Sequence, residues 1–403
     1  MRSTKLAALL ILVVALVTAC GGPATQTEAE PTDGAAPAGT EAAGDGTATP
    51  TESTDTGTSA AEGGGCDPSA YDDVIAEVEG LDADARWDRL MELAAEEEGQ
   101  FQVYATISGD EIGPLMEDFL EVTADAGIDA THYRAGSNDV LQRITQEADA
   151  GRPQADAVIS TGIDASILST EGFLQPFETP FAEDIIESTV HEDWVGAYVN
   201  VYTPAWNTDQ IAEGEAPTTW EEVLAFDGPV GFEIKSYDWF GTLVTEYFMK
   251  QQGLSEDEAV ELFRAASDNM VPIDGRSALT ELLTAGEFPL AAGTYTQNVD
   301  SGSQAGAPIS WEPPVEPLVQ RPNAGAPMCG SDRPATALLF VDYLIDEPGQ
   351  EMMVSFERVP THTQIEGGLN PDYELISVDV AEMASNREKW ETLYAEVTGE
   401  PAG

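Results

Sequence analysis

The sequence predicts an α/β protein of two lobes, each built on a mixed, mainly parallel sheet flanked by helices. The first observation is an alternation of strand and helix patterns over residues 101–160, which is typical of parallel sheets. A second alternation follows between residues 217 and 311. The third is the length of 403 residues, which exceeds a typical single domain and favours two lobes.

The first alternation predicts one half of a ligand site. Strands are expected at 101–108, 131–134 and 155–160, and each ends in polar residues. Ligands of parallel sheets bind beyond the carboxyl ends of the strands. We therefore expect the following residues at the site: Thr106, Ser108, Arg134, Ser137, Ser160 and Thr161.

The second alternation predicts the other half. Residues 172–177 should form an exposed turn, residues 203–208 a loop that crosses to the second lobe, and residues after 311 a proline-rich crossover back. Lobe 1 is then expected at 66–202 plus about 309–360, and lobe 2 at about 203–308 plus 361–403. Strand ends in lobe 2 supply Lys235, Ser236, Tyr237, Arg276, Ser277 and Tyr295.

The charge of the chain excludes some partners. With 74 acidic and 16 basic residues the formal net charge is −58, so nucleic acids and anionic membrane surfaces, which need basic patches, are not expected to bind. A heavily acidic, lysine-poor surface suits a protein that stays hydrated at high salt. The halophilic interpretation is a hypothesis, since an acidic surface would also suit a protein from low salt.

The N-terminal residues have the pattern of a targeting segment and are not expected to be part of the folded domain. Arg2 and Lys5 precede the apolar run 6–16, and Val17-Thr18-Ala19-Cys20 resembles a bacterial lipobox. That resemblance implies a signal peptide of residues 1–19, lipidation of Cys20 and anchoring to the outer face of the cell membrane. An ordinary secretory signal is the alternative. Residues 20–65 lack aromatic and basic residues and are expected to be a disordered tether.

The other cysteines and the histidines have structural interpretations. Cys66 and Cys329 are predicted to pair as a disulfide outside the cytoplasm, or else to be two separate buried thiols. The three histidines show no metal-ligand spacing, and no Gly-x-Ser-x-Gly, His-Glu-x-x-His or P-loop motif is present. A surface hydrolase with paired carboxylates stays open as an alternative of another class.

Several segments together resemble bacterial extracellular solute-binding proteins of ABC importers, nearest to the ferric-iron/phosphonate type. They are Arg134–Ser137 with Arg143-Ile144, Gly172-Phe173-Leu174, Trp206-Asn207-Thr208, Thr218–Val223, Gly306–Ile309 and Ala335–Leu344 with Glu347-Gly349-Gln350. The resemblance implies a monomer of the type II periplasmic-binding-protein fold, with a ligand cleft between the lobes. It also implies no enzymatic activity, no cofactor, and delivery of solute to a membrane permease powered by an ATPase.

Two ligands are weighed. Arg134, Lys235 and Arg276, each with a serine within three residues, suit a small anionic solute such as a phosphonate, phosphate ester, sulfonate or carboxylate. The iron-binding branch of the family carries an adjacent tyrosine pair, whereas this chain has the single Tyr295 in that region. Ferric iron is therefore the alternative, with Tyr237, Tyr295 and Asp300 as its oxygen ligands. Ligand sensing rather than transport also stays open.

Overall fold

A computed structural model describes residues 69–212 and 214–399. The predicted signal peptide, the lipidation site Cys20, the tether and Cys66 lie outside these residues. Within the described part, no helix has the length and apolar character needed to cross a membrane. Cys329 is disulfide-bonded, and its predicted partner lies outside the described residues.

Helices and strands alternate through most of the chain. The first part forms α1 (Ser69–Val78), α2 (Ala83–Ala94), β1 (Gln100–Ala105), α3 (Gly109–Val122), β2 (Asp129–Arg134), α4 (Ser137–Asp149), β3 (Ala157–Thr161), α5 (Gly162–Thr170) and β4 (Val195–Asn207). The middle part forms α6 (Trp220–Leu224), β5 (Val230–Glu233), α7 (Tyr237–Thr242) with a π-helical continuation (Leu243–Gln251), α8 (Glu256–Ala266), β6 (Met270–Ile273), α9 (Arg276–Ala285), β7 (Leu290–Tyr295), α10 (Thr296–Gln304) and β8 (Ile309–Ser310). The last part forms β9 (Leu318–Pro327), α11 (Pro334–Ile345), α12 (Glu347–Ser355), β10 (Val359–Pro360), β11 (Leu375–Ser377), α13 (Val380–Ser385) and α14 (Arg387–Thr398).

The sheet runs through two lobes in the order β2-β1-β3-β9-β4-β7-β5-β6. In the first lobe β1 is parallel to β2 and β3, and in the second β5 is parallel to β6 and β7. Strands β9 and β4 lie between these sets and are antiparallel to β3, β7 and each other. The prediction of two lobes with mixed, mainly parallel sheets is confirmed.

The predicted crossover loop at residues 203–208 is wrong, because β4 continues to Asn207 without a break and all thirteen of its residues are buried. Pro204 cannot donate a hydrogen bond to a neighbouring strand. The pairing with β7 shifts register between Thr203 and Ala205, so the proline occupies an irregularity of the ladder. A proline that looks like a strand terminator thus lies inside a long strand.

Strand β9 was missed, since the sequence indicated only a proline-rich crossover after residue 311. It contains polar residues and an Ala-Gly-Ala segment with few β-branched residues, and so carries a weak strand signal. It forms because β3 and β4 supply hydrogen-bonding partners on both sides.

The turn at residues 172–177, predicted to be exposed, is partly buried. Leu174 is 3% exposed and Gln175 is 5% exposed. Leu174 forms an isolated bridge with Met328, which follows the end of β9. The turn is covered because β9, which the sequence did not predict, places Met328 beside it.

Aromatic side chains fill the cores on both sides of the sheet. Phe340 of α11 lies 5.6 Å from Phe101 and 5.1 Å from Phe119, measured between ring centroids, in edge-on contacts. Phe240 of α7 packs edge-on against Phe263 at 4.8 Å, and Trp390 of α14 packs on Phe240 at 6.0 Å. Burial of such large apolar surfaces provides most of the driving force for folding.

Candidate functional site

The strand ends of both lobes open into one cleft of about 840 Å³. The carboxyl ends of parallel strands meet at the same edge of a sheet, which explains why residues far apart in sequence converge there. Ten of the twelve predicted ligand residues line the cleft: Thr106, Ser108, Arg134, Ser137, Thr161, Lys235, Tyr237, Arg276, Ser277 and Tyr295.

The two other predicted residues are not part of the cleft lining. Ser160 is buried beside Thr161, whose carbonyl its hydroxyl contacts at 3.3 Å, because successive residues of a strand point to opposite faces. Ser236 is buried, donates to the Glu233 carboxylate at 2.8 Å and accepts from Arg276 at 2.7 Å. Ser236 therefore supports a cleft arginine.

The oxygen set predicted for iron does not assemble. Tyr237 and Tyr295 line the cleft, but Asp300 lies outside its lining and accepts a hydrogen bond of 2.7 Å from the Trp311 indole. Asp300 sits one helical turn beyond the start of α10, and this turn carries it toward β8. Among the described residues no cluster of three or more histidine, cysteine or acidic side chains could hold a metal ion.

Two arginines, Arg276 of α9 and Arg321 of β9, are held in place by contacts with Tyr295. The Arg276 guanidinium lies 4.5 Å from the ring centroids of Tyr202 and Tyr295 and donates to the Gly293 carbonyl at 2.5 Å. Arg321 donates to Asp238 and to the Tyr295 hydroxyl, both at 2.8 Å. Contacts between a guanidinium and an aromatic face are attractive, more so when water is excluded.

This cluster changes the pKa values of its acids. Burial disfavours the phenolate of Tyr295, but Arg276 and Arg321 outweigh this cost and hold the pKa of Tyr295 below its usual value. Burial likewise opposes the charge of Asp238, and the same two arginines lower its pKa. Tyr202 shows the opposite result, because burial dominates and raises its pKa. The second lobe therefore favours negative charge at Tyr295 and Asp238.

Three further arginines of the cleft were not among the predicted residues: Arg321, Arg358 and Arg387. Arg358 donates to Glu111 at 2.7 Å and to Asn200 at 2.6 Å. Arg387 contacts Asp164 at 3.4 Å and Glu391 at 2.7 Å. Because basic residues are scarce in this chain, all three arginines could have been singled out as candidate site residues. Their places in the cleft, however, depend on β9 and on the path of the C-terminal segment.

Strands β4 and β9 supply the floor of the cleft. Tyr198 and Asn200 of β4 are register partners of Asn323 and Arg321 of β9, and all four line the cleft. Sequence reasoning missed this amide-rich floor because it predicted no strand at β9.

Basic residues are concentrated at the cleft, where acidic residues balance them in number. Six basic residues line it, out of 16 in the sequence, together with six acidic residues: Asp139, Asp164, Glu233, Asp238, Asp274 and Glu391. Five of the six cations have a carboxylate within 3.6 Å. The sixth is Arg134, which is exposed and forms no ion pair with any residue that the structure describes; its Nε donates to the Ile107 carbonyl at 3.0 Å.

Several helices begin at the cleft without a capping side chain. The residues before α3, α4, α9 and α10 are Ser108, Gly136, Gly275 and Tyr295, and none makes a side-chain capping bond. Helix α5 also begins there, and it is capped by Thr161. Away from the cleft, α2, α6, α8, α12 and α13 are capped. Helix α11 lacks a capping bond from the residue before it, but its first N–H groups donate to the Glu97 carboxylate. Uncapped helix starts present free N–H groups and a positive dipole end, which together favour an anion.

Comparison with known proteins places this geometry among transport proteins. A family model described as bacterial extracellular solute-binding protein matches residues 109–351. No curated protein matches the chain.

Solved structures of several binding proteins have a similar fold. Iron-bound HitA from Pseudomonas aeruginosa has a TM-score of 0.63 at 17% identity, covering 74% of this chain and 99% of its own. AfuA from Actinobacillus pleuropneumoniae, with fructose-6-phosphate bound, has a TM-score of 0.63 at 18% identity, with coverages of 75% and 99%. A ferric binding protein from Campylobacter jejuni has a TM-score of 0.62 at 17% identity, with coverages of 74% and 99%. At these identities the likeness establishes the type II periplasmic-binding-protein fold alone.

Proposed function

The chain belongs to the bacterial extracellular solute-binding protein family, and we propose that its cleft captures a small organic anion. The family model covers more than half of the chain. Members of this family are extracytoplasmic, are not enzymes, and deliver solutes to the permease of an ABC importer. The hydrolase alternative is therefore set aside. The class of solute is our proposal: a phosphonate, phosphate ester, sulfonate or carboxylate.

The observation that carries the proposal is the unpaired charge of Arg134. Of the 14 basic residues that the structure describes, only Arg134 and Arg152 form no ion pair, and of these two only Arg134 lines the cleft. It lies at the end of β2, three residues before Ser137, the uncapped start of α4. A guanidinium beside free helical N–H groups is complementary to phosphate, sulfonate and carboxylate oxygens.

The opposite wall supports the same proposal. Lys235 and the uncapped start of α9 line the cleft from the second lobe. Lys235 is half-exposed and has only the exposed Asp274 as its partner at 2.8 Å, and such surface pairs contribute little. An anion that bridges the two walls would therefore gain charged contacts on both sides.

A thermal-shift screen tests the proposal. The full chain would be heated with phosphonates, phosphate esters, sulfonates, carboxylates and ferric citrate, and each hit would be measured by titration calorimetry. A ligand that binds only the native state raises the unfolding temperature with its concentration. Arg134→Ala is expected to weaken an anion by tenfold or more, the scale of one lost charge-assisted hydrogen bond.

Arg152→Ala is the matched control, since it removes the same charge at an exposed position three residues beyond the end of α4, and Arg152 is not part of the cleft lining. Equal losses in both variants would point to long-range charge rather than a contact. A complete absence of anion binding would overturn the proposal.

Ferric iron is the second candidate, since Tyr237 and Tyr295 both line the cleft and two arginines lower the pKa of Tyr295. A phenolate is a ligand that hard cations accept. Addition of iron would then produce a visible charge-transfer band that Tyr295→Phe abolishes. An absence of iron binding by the parent chain would remove this candidate, and unchanged colour and affinity in Tyr295→Phe would remove Tyr295 as an iron ligand.

Cys20 is proposed as the lipid anchor of a protein on the outer face of the membrane. Cys20→Ala is expected to release the chain into the medium, whereas the parent chain stays with the membrane fraction. Release of both chains would favour an ordinary secretory signal. Uptake of the identified solute by cells with and without the gene would then separate transport from sensing.

A further inference from the structure

Gln297 is a buried amide at the floor of the cleft. It lies in the first turn of α10, is 4% exposed and lines the cleft. Its Nε2 donates a hydrogen bond of 3.1 Å to Oδ1 of Asn200. It thereby joins the second lobe to β4 at the base of the site.

Arg358 fixes which way the two amides point. A guanidinium can only donate hydrogen bonds, and Arg358 Nη1 lies 2.6 Å from Oδ1 of Asn200. The Asn200 atom that faces Arg358 must therefore be the oxygen. Gln297 contacts the same oxygen, so its facing atom must be the nitrogen. Glu111, which accepts from Arg358 at 2.7 Å, and the ring of Tyr198 at 4.5 Å hold the guanidinium in place.

This orientation leaves the Oε1 of Gln297 as an acceptor without a partner. Oε1 is buried and accepts no hydrogen bond from the residues that the structure describes. Buried acceptors in native proteins are nearly always satisfied, and one left unpaired is costly. Gln297 lines the ligand cleft, and its Oε1 has no donor among the described residues, so a donor on the bound solute would satisfy it.

We infer that Gln297 accepts a hydrogen bond from a hydroxyl group of the solute, which is therefore a hydroxylated anion. The inference rests on the proposed function, because it concerns the same cleft. A fully ionised phosphonate, sulfonate or carboxylate group has no proton to donate. An ammonium group would be repelled by Arg358, which shares the Asn200 oxygen with Gln297, and by Arg321 on the adjacent strand. The buried amides of Asn200 and Asn323 line the same floor and match a hydroxyl-bearing carbon chain.

Pairs of probes that differ by one hydroxyl test the inference in the full chain. They are isethionate and propane-1-sulfonate, hydroxymethylphosphonate and ethylphosphonate, glycolate and propionate, and 2-hydroxyethyl phosphate and n-propyl phosphate. Calorimetry should show the hydroxylated member binding roughly tenfold tighter, as expected for one hydrogen bond to a buried acceptor. Phosphoethanolamine supplies an ammonium probe and is expected to bind no better than n-propyl phosphate.

Gln297→Met keeps the length of the side chain and removes the acceptor. It is expected to abolish the preference by weakening the hydroxylated member alone, whereas Gln304→Met, at the exposed end of α10, should leave the preference intact. The comparison of probe pairs in the parent chain tests the inference without any variant. Equal binding of both members of every pair, or tighter binding of phosphoethanolamine, would overturn the inference and leave the anion proposal standing. Failure of every anion to bind would overturn the proposed function and this inference with it.

Discussion

Arg321 of β9 donates a hydrogen bond of 2.8 Å to Asp238 at the start of α7. Their side chains are 12% and 3% exposed. This ion pair links β9, a strand between the two lobes, to the first turn of α7 in the second lobe. The same guanidinium holds the Tyr295 hydroxyl, so one ion pair sets the geometry of the aromatic wall of the cleft.

Asp238→Asn is expected to lower the free energy of unfolding by about 3–5 kcal/mol at pH 7, because it leaves a buried arginine without its counter-ion. The folded pKa of Asp238 is lowered, so its contribution is present above the unfolded value of about 3.9 and is lost as pH falls through the folded pKa. Denaturant unfolding at fixed salt should show that the difference in free energy of unfolding between parent and variant decreases below about pH 4. Asp274→Asn, at an exposed pair, is the control and should cost under about 1 kcal/mol. A difference in free energy of unfolding that stays constant down to about pH 2 would contradict the stabilising role of the ionised Asp238 carboxylate.

The ion pair between Arg86 and Asp342 joins α2 to α11 at 2.6 Å and is almost fully buried. Asp342→Leu alone is expected to cost about 3–5 kcal/mol, whereas the double variant Arg86→Met with Asp342→Leu should recover most of this loss. Arg89→Ala, in the same helix with exposed partners, should change the free energy of unfolding little. Additive losses in the double variant, measured by denaturant unfolding, would show that the two charges act independently.

Gly349 is required by close approach of the backbone. A Cβ at this position would lie 2.1 Å from the Tyr343 carbonyl oxygen, and backbone cannot yield as a flexible side chain can. Gly349→Ala is expected to destabilise by about 2–3 kcal/mol, as overpacking does. Gly109→Ala, at the exposed first residue of α3 with nothing within 4 Å of the added Cβ, should be neutral or slightly stabilising. Equal melting temperatures for the two variants would refute this account.

Cys66 is predicted to be the partner of Cys329, which is disulfide-bonded. If they pair, Cys66→Ser, Cys329→Ser and the double variant should lose the same stability, about 2–5 kcal/mol. Non-reducing mass spectrometry of a proteolytic digest would identify the linked peptides directly. A double variant that is less stable than either single variant would argue against the pairing.

High salt is predicted to stabilise the protein. The net charge of −58 destabilises the compact state through self-repulsion, which salt screens. The unfolding temperature should therefore rise between about 0.1 and 1 M potassium chloride, where the screening length falls from about 10 to about 3 Å. The same rise in Arg134→Ala would distinguish screening from chloride binding in the cleft. An unchanged unfolding temperature would argue against the halophilic hypothesis.

The sequence was most informative where a local pattern repeats. Alternating strand and helix signals between residues 100 and 160 correspond to β1, α3, β2, α4 and β3, because helical and extended periodicities are local properties. The position of Arg134 and Ser137 in the cleft also followed from sequence, since it requires only that parallel strands end at one edge.

What the sequence determined by itself is the class of fold, the family and the strand-end residues of the site, all of which are encoded in short segments. The tertiary structure alone decided the floor of the cleft and its ion pairs. Strand β9 has little strand propensity of its own and forms because β3 and β4 satisfy its backbone. It places Arg321 against Asp238, 83 residues away in sequence. Contacts of this kind depend on which strands become neighbours, and no local pattern specifies that.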